Sequence, residues 1–320
     1  MVQRGRVTSS DGVRIAVYET GVPELPPVVC IHGYPDNAGI WSGLTAELAG
    51  RYRVTSYDVR GAGDSDKPHD RSSFRLGQLQ DDFRAVIDAV SPQRPVHLIA
   101  HDWGSIQAWH FSTAPELRSR IASLTSISGP SLAHTAHWVR QNLRLGAGPG
   151  SKAKVLKQFG HSYYLAAFQI PALPELLWRS GLLERAVKVR DGSYRRSMSD
   201  RIQGLQLYRA NRLGAGGGGP ECRAAARTTA IPVQVLAPKA DAFVTPALQL
   251  EAPRPFVEQL HLRLIAGDHW VVANEPALIA RAAAELIDWV EAGGEASAAR
   301  SPGLEKARQA ALRSGRFAGD

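Results

Sequence analysis

The stretch Ile99-Ala100-His101-Asp102-Trp103-Gly104-Ser105 joins two patterns of different period. Before it, Pro95-Val96-His97-Leu98-Ile99-Ala100 is a short apolar run of the kind a buried strand shows. After it, residues 103–112 read as a helix. Small residues Ala100 and Gly104 stand two positions to either side of Asp102. That is the spacing of a tight strand-to-helix turn, which lifts one side chain above a sheet while small neighbours let the backbone close. Such a turn usually presents serine. A carboxylate presented there instead attacks a carbon bearing a leaving group and forms an ester with the protein. Asp102 could also cap the following helix, but the flanking small residues call for more than a cap.

Working outward, Pro27-Val28-Val29-Cys30-Ile31 is a second apolar run, ending at His32-Gly33. The segment from Tyr52 to Asp58 alternates and breaks at Arg60-Gly61. Leu76, Leu79, Phe83, Val86, Ile87 and Val90 recur at helical spacing, which predicts an amphipathic helix over 76–90. Residues 121–128 predict another strand. Strand–helix–strand order means an α/β fold with a mostly parallel, doubly wound sheet covered on both faces. From Gly129 the pattern becomes helical, basic and glycine-punctuated. Strand patterns resume at 231–236 and 259–265, and an amphipathic helix over 276–292 closes the fold. The expected organisation is therefore a core of 1–128 and 229–293, a helical cap over 129–228 and a C-terminal tail over 294–320. The glycine run 214–219 reads as a flexible connector. A cap inserted into an open sheet leaves a cleft at the carboxyl ends of the strands.

Two further segments bear on Asp102. The loop His32-Gly33-Tyr34-Pro35 follows a strand, and in sheets with such an elbow it supplies a backbone N–H to an oxyanion hole, here that of Tyr34. The second N–H comes from the residue after the nucleophile, Trp103. His32, with Gly33 and Pro35, has a supporting role, since a structural hydrogen bond suits His32 better than service as a base. Gly267-Asp268-His269-Trp270 follows the last strand, where a general base belongs. Asp241, after the preceding strand, completes the chain order nucleophile, acid, base and would fix the His269 tautomer. Asp268 adjoins His269, but neighbouring side chains on a loop usually diverge. His69, His97, His101, His110, His134, His137, His161 and His261 lack a comparable context. No His/Cys/carboxylate spacing suggests a metal site.

The segments HGYPD (32–36), DVRGAGDSDKP (58–68), AHDWGS (100–105) and GDHW (267–270) resemble, in order, the epoxide-hydrolase branch of the α/β-hydrolase superfamily. The resemblance covers residues 1–293 and implies the α/β-hydrolase fold with an inserted helical cap. It also implies two cap tyrosines that hold an epoxide oxygen. Ser162-Tyr163-Tyr164-Leu165 through Pro171 looks like the first tyrosine motif and places that role on Tyr164. Leu207-Tyr208-Arg209-Ala210-Asn211 looks like the second and places it on Tyr208. The chain further resembles the hydrolase half of bifunctional proteins in which a short-chain dehydrogenase/reductase domain follows, with residues 304–320 like the linker. That implies a functional link to a reductase. Gly61-Ala62-Gly63 opens no nucleotide-binding helix and residues 214–219 follow no strand, so no NAD(P) site and no cofactor are expected.

The chain has 320 residues with 44% hydrophobic and 21% charged, an ordinary globular composition. No run approaches ~18 apolar residues, so no membrane span is expected, and the N-terminus lacks the apolar segment of a secretory signal. A cytoplasmic location follows as the expectation. Cys30 lies in an apolar run and reads as an inert buried thiol; a disulfide with Cys222 is disfavoured. The formal net charge is +8, and residues 137–227 hold 16 Lys+Arg against 5 Asp+Glu, more than the whole surplus. A basic cap of this kind is either a solvated surface or one that meets acidic, bulky amphiphilic or lipid-like substrates or a membrane. The basic residues are not interleaved with aromatics in a nucleic-acid-binding motif. A homodimer is compatible with all of this.

The expected activity is hydrolysis of a small-molecule epoxide to a vicinal diol through an ester on Asp102. A haloalkane dehalogenase would use the same nucleophile and base but needs halide holders. Trp103 could be one; the loop position, however, is Tyr34, with Asn37 three residues on. A non-catalytic small-molecule receptor on the same fold is the third reading, disfavoured by a complete Asp–Asp–His set.

Overall fold

The computed structural model describes residues 2–187, 194–211 and 227–294. The glycine run 214–219, Cys222 and residues 304–320 lie outside the described residues.

Eight strands form one sheet: β1 (Val2–Thr8), β2 (Arg14–Thr20), β3 (Pro27–Ile31), β4 (Arg53–Tyr57), β5 (Val96–His101), β6 (Ile121–Ile127), β7 (Val233–Pro238) and β8 (Leu260–Ile265). Their order is β1-β2-β4-β3-β5-β6-β7-β8. β1 pairs antiparallel with β2, and β2 with β4; every pairing from β4 through β8 is parallel. The expected parallel sheet thus carries an antiparallel edge, built from the alternating N-terminal segment. Every residue of β3, β4, β5 and β7 is buried, as befits strands covered on both faces.

The pleat sends successive side chains to opposite faces. Val29 and Ile31 join one core with Leu79, Phe83 and Val86 of α2 (Leu76–Val90) and Trp109 of α3 (Trp103–Thr113), counting Ser42–Leu48 as α1. Val28 and Cys30 join the other, with Leu44 and Leu48 of α1 and with Ile279, Ala283 and Ile287 of the last helix, Pro276–Glu291. The predicted helix over 76–90 matches α2 residue for residue, because its apolar spacing is set by one buried face. Cys30 is fully buried, and burial pushes its thiol well above the usual range.

Between β6 and β7 the described chain is helical: α4 (Leu132–Leu143), α5 (Ser151–His161), α6 (Tyr163–Ala167), α7 (Leu173–Arg179), α8 (Leu182–Val187), α9 (Met198–Gln203) and α10 (Leu205–Ala210). The loops after β3, β5, β6, β7 and β8 all leave the same edge of the sheet, because these strands are parallel. No helix among the described residues is long and apolar enough to cross a membrane.

Candidate active site

Asp102 stands between β5 and α3 with φ 51° and ψ −124°, a backbone conformation that side chains with a Cβ rarely adopt. Its neighbourhood explains how the turn closes. A Cβ on Gly104 would lie 2.1 Å from the Ile31 carbonyl oxygen, and one on Gly129 would lie 2.1 Å from the Asp102 carbonyl oxygen. The Asp102 N–H donates to Ile127 O at 3.0 Å, tying the turn to β6.

Three loops converge on this carboxylate. The Tyr34 N–H donates to Asp102 Oδ1 at 2.7 Å. A Cβ on Gly33 would lie 2.3 Å from Asp102 Oδ1 and 2.6 Å from Trp103 N, so glycine is what leaves this space open. The Tyr34–Pro35 peptide is cis. His32 holds the loop: its Nδ1–H donates to Gly33 O at 2.9 Å and its Nε2 accepts from the Val59 N–H at 2.9 Å. Both ring nitrogens are therefore committed to backbone, and His32 has no lone pair left for a substrate.

His269, in the loop after β8, places Nε2 3.6 Å from Asp102 Oδ2 and Nδ1 3.1 Å from Asp241 Oδ1. Asp268 faces elsewhere, accepting from the Trp270 N–H and from Asn274 Nδ2. Asp241 is buried, and its Oδ1 also accepts from the Phe243 and Val244 N–H groups. Burial opposes ionisation of Asp241, but the adjacent imidazole and these hydrogen bonds hold it below the usual carboxylate range. Burial likewise opposes protonation of His269, yet the Asp241 and Asp102 carboxylates outweigh it and raise the imidazole to about 10.

Tyr164 of α6 and Tyr208 of α10 line the same cavity as Asp102, a space of about 450 Å³. Their ring centroids are 6.0 Å apart, and Tyr208 packs edge-on against Trp103 at 5.0 Å. Burial pushes both phenols well above their ordinary value, and the Asp102 charge adds to it. Both hydroxyls therefore stay protonated at neutral pH. The rest of the wall is largely apolar, with Ile106, Leu132, Val139, Leu165, Phe243 and Leu248 contributing.

Several positioning residues carry no sequence signal. Gln249 donates to Asp241 Oδ2 at 3.1 Å and accepts from the Ser128 N–H at 3.2 Å, joining the loops after β6 and β7. Trp178 donates to the Tyr34 hydroxyl at 2.6 Å, and that hydroxyl donates to Arg201 O at 2.9 Å. Asp36 is buried against Arg196, with Nε 2.5 Å from Oδ1. Asp200 accepts from Gly63 N–H, from Asn37 Nδ2 and from Ser197 N–H. These contacts fasten α9 and its flanks to the loop that carries Tyr34. Among the described residues no group of His, Cys, Asp and Glu is arranged to hold a metal ion.

A family model described as alpha/beta hydrolase fold matches residues 26–276. The chain is 34% identical over 291 residues to a probable oxidoreductase, EphD, of Mycobacterium tuberculosis, covering 88% of this chain and 49% of that protein. It is 30% identical over 173 residues to epoxide hydrolase A of the same organism, covering 53% of this chain and 49% of that one. The chain thus spans about half the length of these curated relatives. Among solved structures, a variant of an epoxide hydrolase from Bacillus megaterium with its naphthyloxy-propane-diol product superposes with a TM-score of 0.71 at 21% identity, over 89% of this chain and 100% of that one. At that identity the likeness is one of fold.

Proposed function

Because this chain belongs to the α/β-hydrolase fold family, we propose that it is an epoxide hydrolase that converts an epoxide to a vicinal diol through an ester on Asp102. The observation that carries the reading is one cavity whose wall holds a carboxylate at a strained strand-to-helix turn and two protonated tyrosines. Relatives named epoxide hydrolase support it.

In this mechanism Oδ1 of Asp102 stays on the Tyr34 N–H and Oδ2 attacks a ring carbon. The carbon–oxygen bond of the strained ring breaks. Tyr164 and Tyr208 donate hydrogen bonds to the departing oxygen, and one of them gives it a proton, which the resting His269 imidazolium replaces, leaving His269 neutral. His269, held by Asp241, then takes a proton from a water, whose oxygen attacks Cγ of the ester. The backbone N–H groups of Tyr34 and Trp103 hold the resulting oxyanion, each worth ~3 kcal/mol in comparable sites. Collapse breaks the ester bond to the product oxygen, which takes a proton from His269, and the second water proton, left on the Asp102 carboxyl, passes to His269 Nε2 and restores the resting pair. The segment from α4 to α10 acts as the cap over this chemistry. The cavity volume and its apolar wall suit a bulky or lipid-like epoxide.

Two observations weigh against halide chemistry. The Tyr34 hydroxyl is engaged by Arg201 and Trp178, and Asn37 Nδ2 is spent on Arg195 O and Asp200. The relatives of twice this length include proteins named as oxidoreductases, which supports a reductase partner activity for this hydrolase. The test compares diol formation from epoxides with halide release from haloalkanes of matched chain length. Diol formation without halide release is expected; comparable halide release would contradict the reading.

A further inference from the structure

The outer surface of the segment from α4 to α8 departs from the rest of the molecule in two respects at once. Of the large hydrophobic side chains exposed among the described residues, nine of twelve lie between Leu143 and Leu182. Scattered exposed apolar residues are ordinary, but concentration in one segment is not. The same segment is basic. Residues 131–187 contain seven Lys+Arg and two Asp+Glu. Both acids are already engaged, Glu175 by Arg209 and Glu184 by Arg201. Of the seven cations only Lys154 makes a close ion pair among the described residues, with Glu251, and Arg179 lies near Glu175.

The apolar residues are ordered along α5. Lys152, Leu156, Phe159 and Tyr163 follow one another at spacings of four, three and four residues, which aligns them along one side of α5 and the start of α6. Leu156 is 72% and Tyr163 73% exposed, while Val155 and Gln158 are buried. Beyond the α4–α5 turn Leu145 is 98% exposed, between Arg144 and Lys152. Phe159 and Ala166 lie on the cavity wall and are also exposed, so this apolar stripe runs to the mouth of the cavity. Apolar side chains that reach ~5–10 Å into a lipid boundary, flanked by cations, are the features of an interfacial helix.

We infer that the face formed by the α4–α5 turn, α5 and the start of α6 docks onto an anionic lipid bilayer, with the cavity mouth opening against the lipid. Leu145, Leu156 and Tyr163 enter the acyl boundary. Arg144, Lys152 and Lys157 meet the headgroup phosphates, each adding an attraction that salt screens. An apolar substrate dissolved in the bilayer then reaches Asp102 without crossing water. The docking is independent of the chemistry at Asp102 and stands or falls by itself.

The test is flotation of the full chain with vesicles of equal parts phosphatidylglycerol and phosphatidylcholine, against phosphatidylcholine alone. Binding to the anionic vesicles is expected, weakened by salt and nearly absent without phosphatidylglycerol. Lys152→Glu with Lys157→Glu should lower the apparent affinity at least about tenfold, since each cation near an anionic surface contributes about fivefold. Leu156→Ser with Leu145→Ser should lower it as well. These exposed positions take no part in the site, so hydrolysis of a short, water-soluble epoxide should be unchanged, which also reports correct folding. Arg281→Glu, a charge reversal of the same kind on the exposed side of the last helix, should leave vesicle binding intact. No binding to anionic vesicles, or an equal loss from Arg281→Glu, overturns the proposal; the first result would point to a protein partner for this face instead.

Discussion

Nε2 of His269 lies 3.6 Å from Oδ2 of Asp102, while its Nδ1 faces Asp241 at 3.1 Å. The imidazole is thus held between two carboxylates. In the free protein both favour the imidazolium. Esterification of Asp102 would erase one of the two charges, leaving Asp241 alone. In the proposed mechanism the proton affinity of His269 would then fall at the step that uses it as a base. One arrangement would thus serve a histidine charged at rest and, in the proposed intermediate, basic.

The raised His269 value has a consequence for stability. Its folded value is about 10 against 6.5 for an ordinary histidine. Below the unfolded value both states bind the proton and the contribution is fully present. Between the two values only the folded state binds it, so stability falls as pH rises and the contribution is gone above about 10. Chemical denaturation of wild type and His269→Gln should show a wild-type advantage at pH near 6 that shrinks toward pH 10. A pH-independent difference would contradict the assignment.

Tyr208→Phe removes a donor that burial keeps protonated beside Asp102. Ester formation measured in a single turnover should slow by about 100-fold, the lower range for a positioned proton donor, with hydrolysis of the ester unaffected. Tyr164→Phe should do the same. Unchanged rapid-quench kinetics would remove either residue from the mechanism.

Gly104→Ala would place a Cβ 2.1 Å from the Ile31 carbonyl oxygen. Backbone cannot yield there as a flexible side chain would, so the turn at Asp102 must open or the fold must loosen. The expected result is a fall in melting temperature together with loss of turnover. A variant with both unchanged would show that the turn is less tightly closed than described.

Arg196→Met would strand the Asp36 carboxylate, which is buried with the guanidinium as its ion partner. Removing one member of a buried pair costs roughly 3–5 kcal/mol. Urea denaturation measures it; a loss under about 1 kcal/mol would mean that Asp36 finds another partner. Because Asp36 follows the loop that carries Tyr34, turnover of the surviving folded protein should fall too.

Much of this candidate site was readable in the chain because its residues sit in local motifs. Asp102 is marked by Ala100 and Gly104, and His269 by its place after the last strand. Asp241 was expected over Asp268 from chain order and from the divergence of neighbouring loop side chains; the structure sets Asp241 3.1 Å from His269, while Asp268 caps the turn that follows it. The fold was legible for a similar reason: strands buried on both faces read as apolar runs, and α2 shows one apolar face. What could not be read depends on distant pairs. Gln249 meets Ser128 across 121 residues, Arg196 meets Asp36 across 160 and Trp178 meets Tyr34 across 144. No local period encodes such pairs, and the residues involved are ordinary surface or packing types until the fold brings them together. The basic character of the segment between β6 and β7 was visible in composition, whereas its apolar stripe required knowing which side of α5 is buried.

The central claim is that Asp102 forms the covalent bond, and trapping that bond tests it most directly. His269→Gln, mixed with excess epoxide, should gain the mass of one substrate molecule, with the added mass on the peptide containing Asp102 and absent from Asp102→Asn. A diol produced at the normal rate by Asp102→Asn, or an adduct mapped to any other residue, would contradict the account.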